Sequence, residues 1–256
     1  TTASAGGSFD GFLLDRSVSS GAHLMRDMIS AADWDAGRPR LTPAKGPAQT
    51  YDLLVVAAGV KSGSLAFLES MAPGYRPPLS TKTMIREYRL GEEAVARHLG
   101  SAMHLFLLNI PRLEFAALIP KGDCMTLCLL GRDVDAALVE TFLKAPEVQR
   151  CLPPGLGEPT CQCMPRIAIR GARQPFGDRI VFIGDCGVTR LYKDGIGAAY
   201  RTAKAAATTA AFEGISADAF RRHYWPACQA ISADNNIGRL IYAVTRQLQR
   251  WRHRRR

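Results

Sequence analysis

The chain has 256 residues, 47% of them hydrophobic and 22% charged, with a formal net charge of +10. That balance belongs to an ordinary globular protein with length for one large or two modest cores, and it excludes a disordered or fibrous chain. No apolar run approaches the ~18 residues of a membrane-spanning helix, and the seven cysteines, scattered and odd in number, fit a reduced cytoplasmic setting better than a disulfide framework.

The chain opens on Thr1 rather than Met, and Thr1 to Ser8 reads as a small-residue coil. The natural N-terminus is therefore expected to lie further upstream, and a missing signal peptide carries no weight. Phe9-Asp10-Gly11-Phe12-Leu13-Leu14 starts a short helix that Gly21-Ala22 ends, with Phe9, Phe12 and Leu13 on one side. His23 to Trp34 reads as extended, with His23 a surface residue rather than a base. Asp35 to Gln49 is a hairpin loop and strand. Tyr51 to Gly59 predicts a buried, parallel-type strand ending in Ala57-Ala58-Gly59, small residues that let a ligand come close. Leu65 to Pro78 reads as a linker.

Alternation then predicts strands over Thr81 to Leu90, Met103 to Ile110, Phe115 to Ile119 and Met125 to Leu130. Short helices are expected at Glu92 to Leu99 and Val134 to Leu143, and a loop around Pro153-Pro154-Gly155. Cys161-Gln162-Cys163 lacks a second Cys/His pair at ligand spacing, so no metal is assigned. Pro165 to Arg170 is expected to be a return strand into a cofactor domain.

Ile180 to Ile183 is a short apolar run, hence a buried strand, which Gly184-Asp185 ends abruptly. A loop leads to Gly195-Ile196-Gly197 and an alanine-rich helix. Strand, Gly-Asp, loop, Gly-x-Gly and helix is the layout of a cofactor site at the carboxyl end of a strand. Ionised Asp185 only accepts hydrogen bonds, which suits a ribityl or ribose hydroxyl. Gly195 and Gly197 let the backbone approach a flat ring, and the helix after them offers its N–H groups and positive end to a reduced flavin.

Downstream, Phe220 to Trp225 continues the helical end. Asn236 to Trp251 sets Ile237, Leu240, Ile241, Val244, Leu248 and Trp251 on one helical face. Seven arginines fall between Arg239 and Arg256 with no acid among them, so the basicity belongs to the tail and no nucleic-acid partner is expected. Such a helix suits either packing against the body or peripheral contact with an anionic membrane, at its inner face for a cytoplasmic protein.

The central stretch resembles the third FAD-contacting motif of the p-hydroxybenzoate hydroxylase-like flavoproteins, and most of all their geranylgeranyl reductase branch. Gly184-Asp185 and Gly195-Ile196-Gly197 stand at that family's spacing, although the loop to Asp194 lacks the family's usual proline. Tyr51 to Ser62 resembles the family's middle motif, and Phe115 to Gly122 its aromatic strand ending in Pro120. The resemblance implies an α/β fold: a partial Rossmann-like FAD-binding domain (1–65 and 171–225), an inserted, mainly antiparallel substrate domain (66–170) and a helical basic tail (226–256). It implies FAD near Ala58, Gly59, Gly184, Asp185, Asp194, Gly195, Ile196 and Gly197. It further implies an apolar pocket at Phe115, Ile119, Pro120, Leu191 and Tyr192, with NAD(P)H or another donor as reductant.

The family's first strand–turn–helix, Gly-x-Gly-x-x-Gly, has no counterpart here, so the sequence is expected to be truncated and to bind FAD poorly by itself. No nucleophile elbow, metal-spaced His pair or P-loop occurs, and no catalytic side chain is assigned. The implied function is FAD-dependent oxidoreduction of an apolar, isoprenoid-like small molecule. A flavin monooxygenase and a non-catalytic binding or membrane-docking remnant stand as alternatives.

Overall fold

The computed structural model describes residues 8–60, 63, 65–191 and 194–253. Tyr192, Lys61, Ser62, Arg254, Arg255 and Arg256, all used above, lie outside them. Helix α1 (Phe9–Ser19) leads through a coil that contains exposed His23 to strands β1 (Ile29–Asp35), β2 (Arg38–Pro43) and β3 (Gln49–Thr50). These make a small antiparallel sheet in the order β1-β2-β3. None of the residues of α1 is buried.

β4 (Leu54–Val56) and helix α2 (Leu65–Met71) follow. The strand expected over Tyr51 to Gly59 is thus shorter than its apolar run, and it is not buried on both sides. β4 lies at the edge of its sheet, and Val55 is 46% exposed. The linker expected from Leu65 begins as a helix instead. Leu65 to Met71 contains good helix formers and no proline, and Leu68, Met71 and Ala72 are buried.

β5 (Leu79–Arg89), α3 (Glu92–His98), β6 (His104–Phe106), β7 (Leu113–Lys121), β8 (Cys124–Gly131), α4 (Ala136–Leu143), α5 (Pro146–Gln149), β9 (Cys161–Cys163) and β10 (Arg166–Arg170) come next. Their strands form a six-stranded sheet in the order β10-β5-β8-β7-β6, with β9 also on β5. Every pair in it is antiparallel. β10, expected as a return strand into a cofactor domain, instead stays in this sheet: Arg166 pairs with Lys82, which holds the segment on β5.

Side chains alternate across β7 and β8, as a pleated strand requires. Ala116, Leu118, Leu127 and Leu129 join a core with Val139 and Phe142 of α4. Phe115, Ala117, Ile119, Cys128 and Leu130 point to the opposite face.

β11 (Phe176–Gly177) and β12 (Ile180–Phe182) complete the third sheet, in the order β11-β12-β4, where β12 runs parallel to β4. Ile180, Val181 and Phe182 are fully buried. Ile180 and Phe182 pack with Met71 and Tyr75 on one side, and Val181 packs with Ala198, Phe220 and Tyr224 on the other. α6 (Gly195–Phe212), α7 (Ala217–Ala219), a π-helical turn at Phe220–Tyr224 and the long helix α8 (Trp225–His253) close the chain. Among the described residues no helix is long and apolar enough to cross a membrane.

Two tyrosines fix the end of β12. The Tyr224 hydroxyl donates to the Phe182 carbonyl at 2.6 Å. The Tyr75 ring stacks on Phe182 with centroids 3.6 Å apart, and its hydroxyl donates to the Cys186 carbonyl at 2.7 Å. Burial pushes both phenols well above their ordinary value, so each stays a neutral donor. Tyr224→Phe should leave the Phe182 carbonyl unpaired and lower unfolding stability by about 1–3 kcal/mol, read from urea denaturation.

Candidate functional site at the carboxyl end of β12

Gly184 follows β12 with φ +62°, a left-handed conformation that glycine adopts without strain. A Cβ there would lie 3.5 Å from the Cβ of Ala199 on α6. The Gly184 N–H donates to the Thr202 hydroxyl at 3.0 Å, tying the strand end to the helix. Cys186 is buried, and its thiol reaches the carbonyls of Val56 and Ile183 at 3.2 and 3.1 Å. The backbone N–H groups of Ala58 and Gly59 lie against the same sulfur, although burial dominates and raises its pKa. The ends of β4 and β12 are thus held side by side. Ala58 is exposed beyond them, and Gly59, at φ +71°, has open space where a Cβ would stand.

Asp185 sits at this junction, half-buried. Its Oδ1 lies 4.0 Å from where a Cβ on Gly195 would be, so the carboxylate faces the start of α6. No described residue pairs with it. The neighbouring acids are all engaged. Asp194, at φ 52°, caps α6 by accepting from the Gly197 N–H at 3.0 Å. It also pairs with Arg190 at 3.3 Å and Arg201 at 3.1 Å. Asp234 of α8 pairs with Arg190 at 2.6 Å.

Gly197 has a role that the sequence did not show: a side chain there would collide with the Asp194 carboxylate, so this glycine makes room for the cap. Gly195 and Ile196 are exposed at the helix start. Thr189, in the loop between Asp185 and Asp194, is 7% exposed and its hydroxyl has no hydrogen-bond partner among the described residues.

Next to this junction lies a cavity of about 550 Å³ between the outer face of the large sheet and α8. Phe115, Ile119 and Leu191, three of the residues that the resemblance puts at a substrate pocket, line it. Pro120 does not; it pairs with Met125 further along β7. The other wall was missed. Asp234, Asn235, Gly238, Ile241 and Tyr242 of α8 close the cavity, with the Tyr242 ring stacked on Phe115 at 5.9 Å.

Asn235 is 5% exposed and clamps the loop from both sides. Its Oδ1 accepts from the Leu191 N–H at 2.7 Å, and its Nδ2 donates to the Thr189 carbonyl at 2.8 Å. Gly238 stands beside Leu191, whose Cδ2 lies 3.9 Å from where a Cβ would be, an ordinary packing distance. The run Asp234-Asn235-Asn236 followed by Gly238 was the available signal, because these are poor helix formers and pointed to partners outside the helix.

The residues fit a flavin dinucleotide at the strand end. Among the described residues the Asp185 carboxylate and the buried Thr189 hydroxyl have no partner, Gly59 has open space where a Cβ would stand, and the positive end of a helix is adjacent. Among the described residues no group of three or more His, Cys, Asp or Glu side chains could hold a metal ion.

Two outcomes follow from this geometry. Arg190 lowers the Asp194 pKa by hydrogen bonding, so the cap is complete above the ordinary aspartate value of about 3.9 and is lost as pH falls through the depressed value. The Gly197 amide resonance should therefore move only below about pH 3.9. Asn235→Leu removes both loop hydrogen bonds while keeping volume, and limited proteolysis should then cut between residues 186 and 195 faster than in the parent protein.

No protein-family model matches the sequence, and no curated protein matches it. Solved structures do match in fold. Halogenase PltM, in complex with phloroglucinol and FAD, superposes with a TM-score of 0.66 at 11% identity over 92% of this chain and 53% of its own. CmlS, a flavin-dependent halogenase, gives 0.59 at 19% identity over 93% and 44%. Tetracycline destructase Tet(51) gives 0.60 at 13% identity over 91% and 66%. The chain spans about half the length of the two halogenases, and its mixed α/β architecture, with antiparallel sheets and a C-terminal helix, matches the fold of the part it covers.

Proposed function

We propose that this chain forms the strand-end flavin site and the substrate cavity of an FAD-dependent oxidoreductase acting on an apolar small molecule, with NAD(P)H or another donor as reductant. The observation that carries the reading is Asp185, a half-buried carboxylate with no partner among the described residues, facing the glycine that opens α6. When bound, FAD would supply the redox chemistry by taking up and passing on a hydride. Asp185 would accept hydrogen bonds from a sugar-alcohol hydroxyl, and the Thr189 hydroxyl would find the partner it lacks. The Asn235 clamp would hold Leu191 at the cavity wall, and the sheet face with Phe115 and Ile119 would shield an apolar substrate from water.

An oxygen-activating reaction is the second reading. The matching solved structures include a flavin-dependent halogenase, and the same Asp185 would serve either reaction. Product analysis with and without oxygen separates the two. The geranylgeranyl reductase resemblance of Phe115 to Pro120 supports the first, as does the apolar lining of the cavity.

FAD titration of the chain, followed by flavin fluorescence, tests the proposal. Binding should saturate with a dissociation constant above about 10 μM, because no pyrophosphate-binding glycine turn occurs in this sequence. Asp185→Ala should weaken it about 10- to 100-fold, the equivalent of one charge-assisted hydrogen bond of about 1.5–3 kcal/mol. Equal binding by both proteins removes Asp185 from the site, and no saturable binding by either favours a non-catalytic role.

A further inference from the structure

α8 is docked by one face only. Ile231 and Asn235 are buried, Tyr242 stacks on Phe115, and the Arg239 guanidinium donates to the Ile169 carbonyl at 2.6 Å. The opposite face carries Ile237, Leu240, Ile241, Val244 and Leu248, which are 51–65% exposed. They recur at one-, three- and four-residue steps, so they form one stripe along the helix. An outward apolar stripe of this length is costly in water.

The stripe runs into the mouth of the apolar cavity. Ile241 belongs to both, and so marks the point where they join. Met103 and Leu105, on the facing edge of the large sheet, also line the cavity while being 55% and 63% exposed. A residue that lines a cavity and is more than half exposed stands at its rim. The cavity therefore opens between two apolar edges, one from the β6 side and one from α8.

Charge selects the occupant. From Arg239 to Arg256 the sequence holds seven arginines and no acid. A second copy of this chain would bring the same positive charge to a symmetric contact, which like-charge repulsion opposes. An apolar surface would accept the stripe, and an anionic one would attract the arginines; an acidic bilayer offers both at one boundary.

We propose that the exposed face of α8 and the rim at Met103 and Leu105 lie on an anionic lipid bilayer, so that the apolar cavity opens toward the membrane. The docking rests on the exposed residues and the charge alone; the loading of an apolar substrate through that mouth rests on the function proposed above.

Flotation of the full chain with phosphatidylcholine–phosphatidylglycerol vesicles tests the docking, with pure phosphatidylcholine vesicles and high salt as controls. Anionic vesicles should recover the protein, neutral vesicles should not, and high salt should reduce recovery. The triple variant Leu240→Asp, Val244→Asp and Leu248→Asp alters only outward positions, and circular dichroism checks that the helix is kept. Its partitioning should fall at least about tenfold. Arg246→Gln combined with Arg250→Gln should weaken anionic binding without changing helicity.

Failure of the parent chain to float, or equal recovery of parent and triple variant, overturns the proposal. So does a concentration-dependent dimer in sedimentation that the triple variant abolishes, since the stripe would then join two copies. Flotation is read without FAD or substrate. A chain that floats but takes up no FAD refutes the proposed function alone, and one that binds FAD but stays unfloated refutes the docking alone.

Discussion

The candidate site depends on how the end of β12 is held. Three fully buried residues, Ile180 to Phe182, bring the chain through the interior, and at Gly184 it must turn at once into a left-handed conformation. A buried strand end leaves backbone groups without water, and each such group must find a partner. Tyr224 takes the Phe182 carbonyl, Thr202 takes the Gly184 N–H, and Tyr75 takes the Cys186 carbonyl. With those partners in place, Asp185 projects to the boundary of the core, facing Gly195. The carboxylate is set by its neighbours rather than by any contact of its own.

The cavity is built by a second constraint, the alternation of a pleated sheet. Ala116 and Leu118 face the core under α4, so Phe115, Ala117 and Ile119 must face the other way. An apolar sheet face needs cover, and α8 supplies it. The contact is not merely apolar, because Asn235 binds the loop at Thr189 and Leu191 with both ends of its amide. A buried amide satisfied on both sides fixes register more sharply than packing alone. Leu191 is thereby placed at the cavity wall by a residue forty-four positions further on in sequence.

What the sequence made legible were the features with a local cause. β12, the Gly-Asp turn, the α6 helix and the alternating strands β5, β7 and β8 follow from period and from glycine placement, and each appears where its pattern pointed. Phe115, Ile119 and Leu191, which the resemblance puts at a substrate pocket, line one cavity. The features that stayed hidden have non-local causes. Nothing local shows that β4 lies at a sheet edge, that β10 pairs with β5, or that Pro120 lies beyond the cavity. The cap role of Gly197 depends on the left-handed conformation of Asp194, which is uncommon for any residue but glycine and is held here by two arginines. The polar run Asp234-Asn235-Asn236 was visible, but its partners lie across the fold.

Arg190 joins the two halves of the site. Its guanidinium reaches Asp194, which caps α6 beside the strand end, and Asp234, which stands in the cavity wall on α8. Two carboxylates are brought toward one cation, and without it they would repel. The arginine is only 22% exposed, so water screens this arrangement less than it would a surface pair. Any displacement of α8 must therefore either carry Arg190 along, shifting the loop that holds Thr189 and Leu191, or break the pair with Asp234 and leave an acid at the edge of an apolar cavity. Both alternatives cost free energy, which couples helix, loop and cap. That linkage gives α8, which presents its outer stripe to the surroundings, a mechanical route to the carboxyl end of β12. Asp234 and Asn235 thus face the loop, while Ile237, Leu240, Ile241, Val244 and Leu248 carry the exposed apolar stripe.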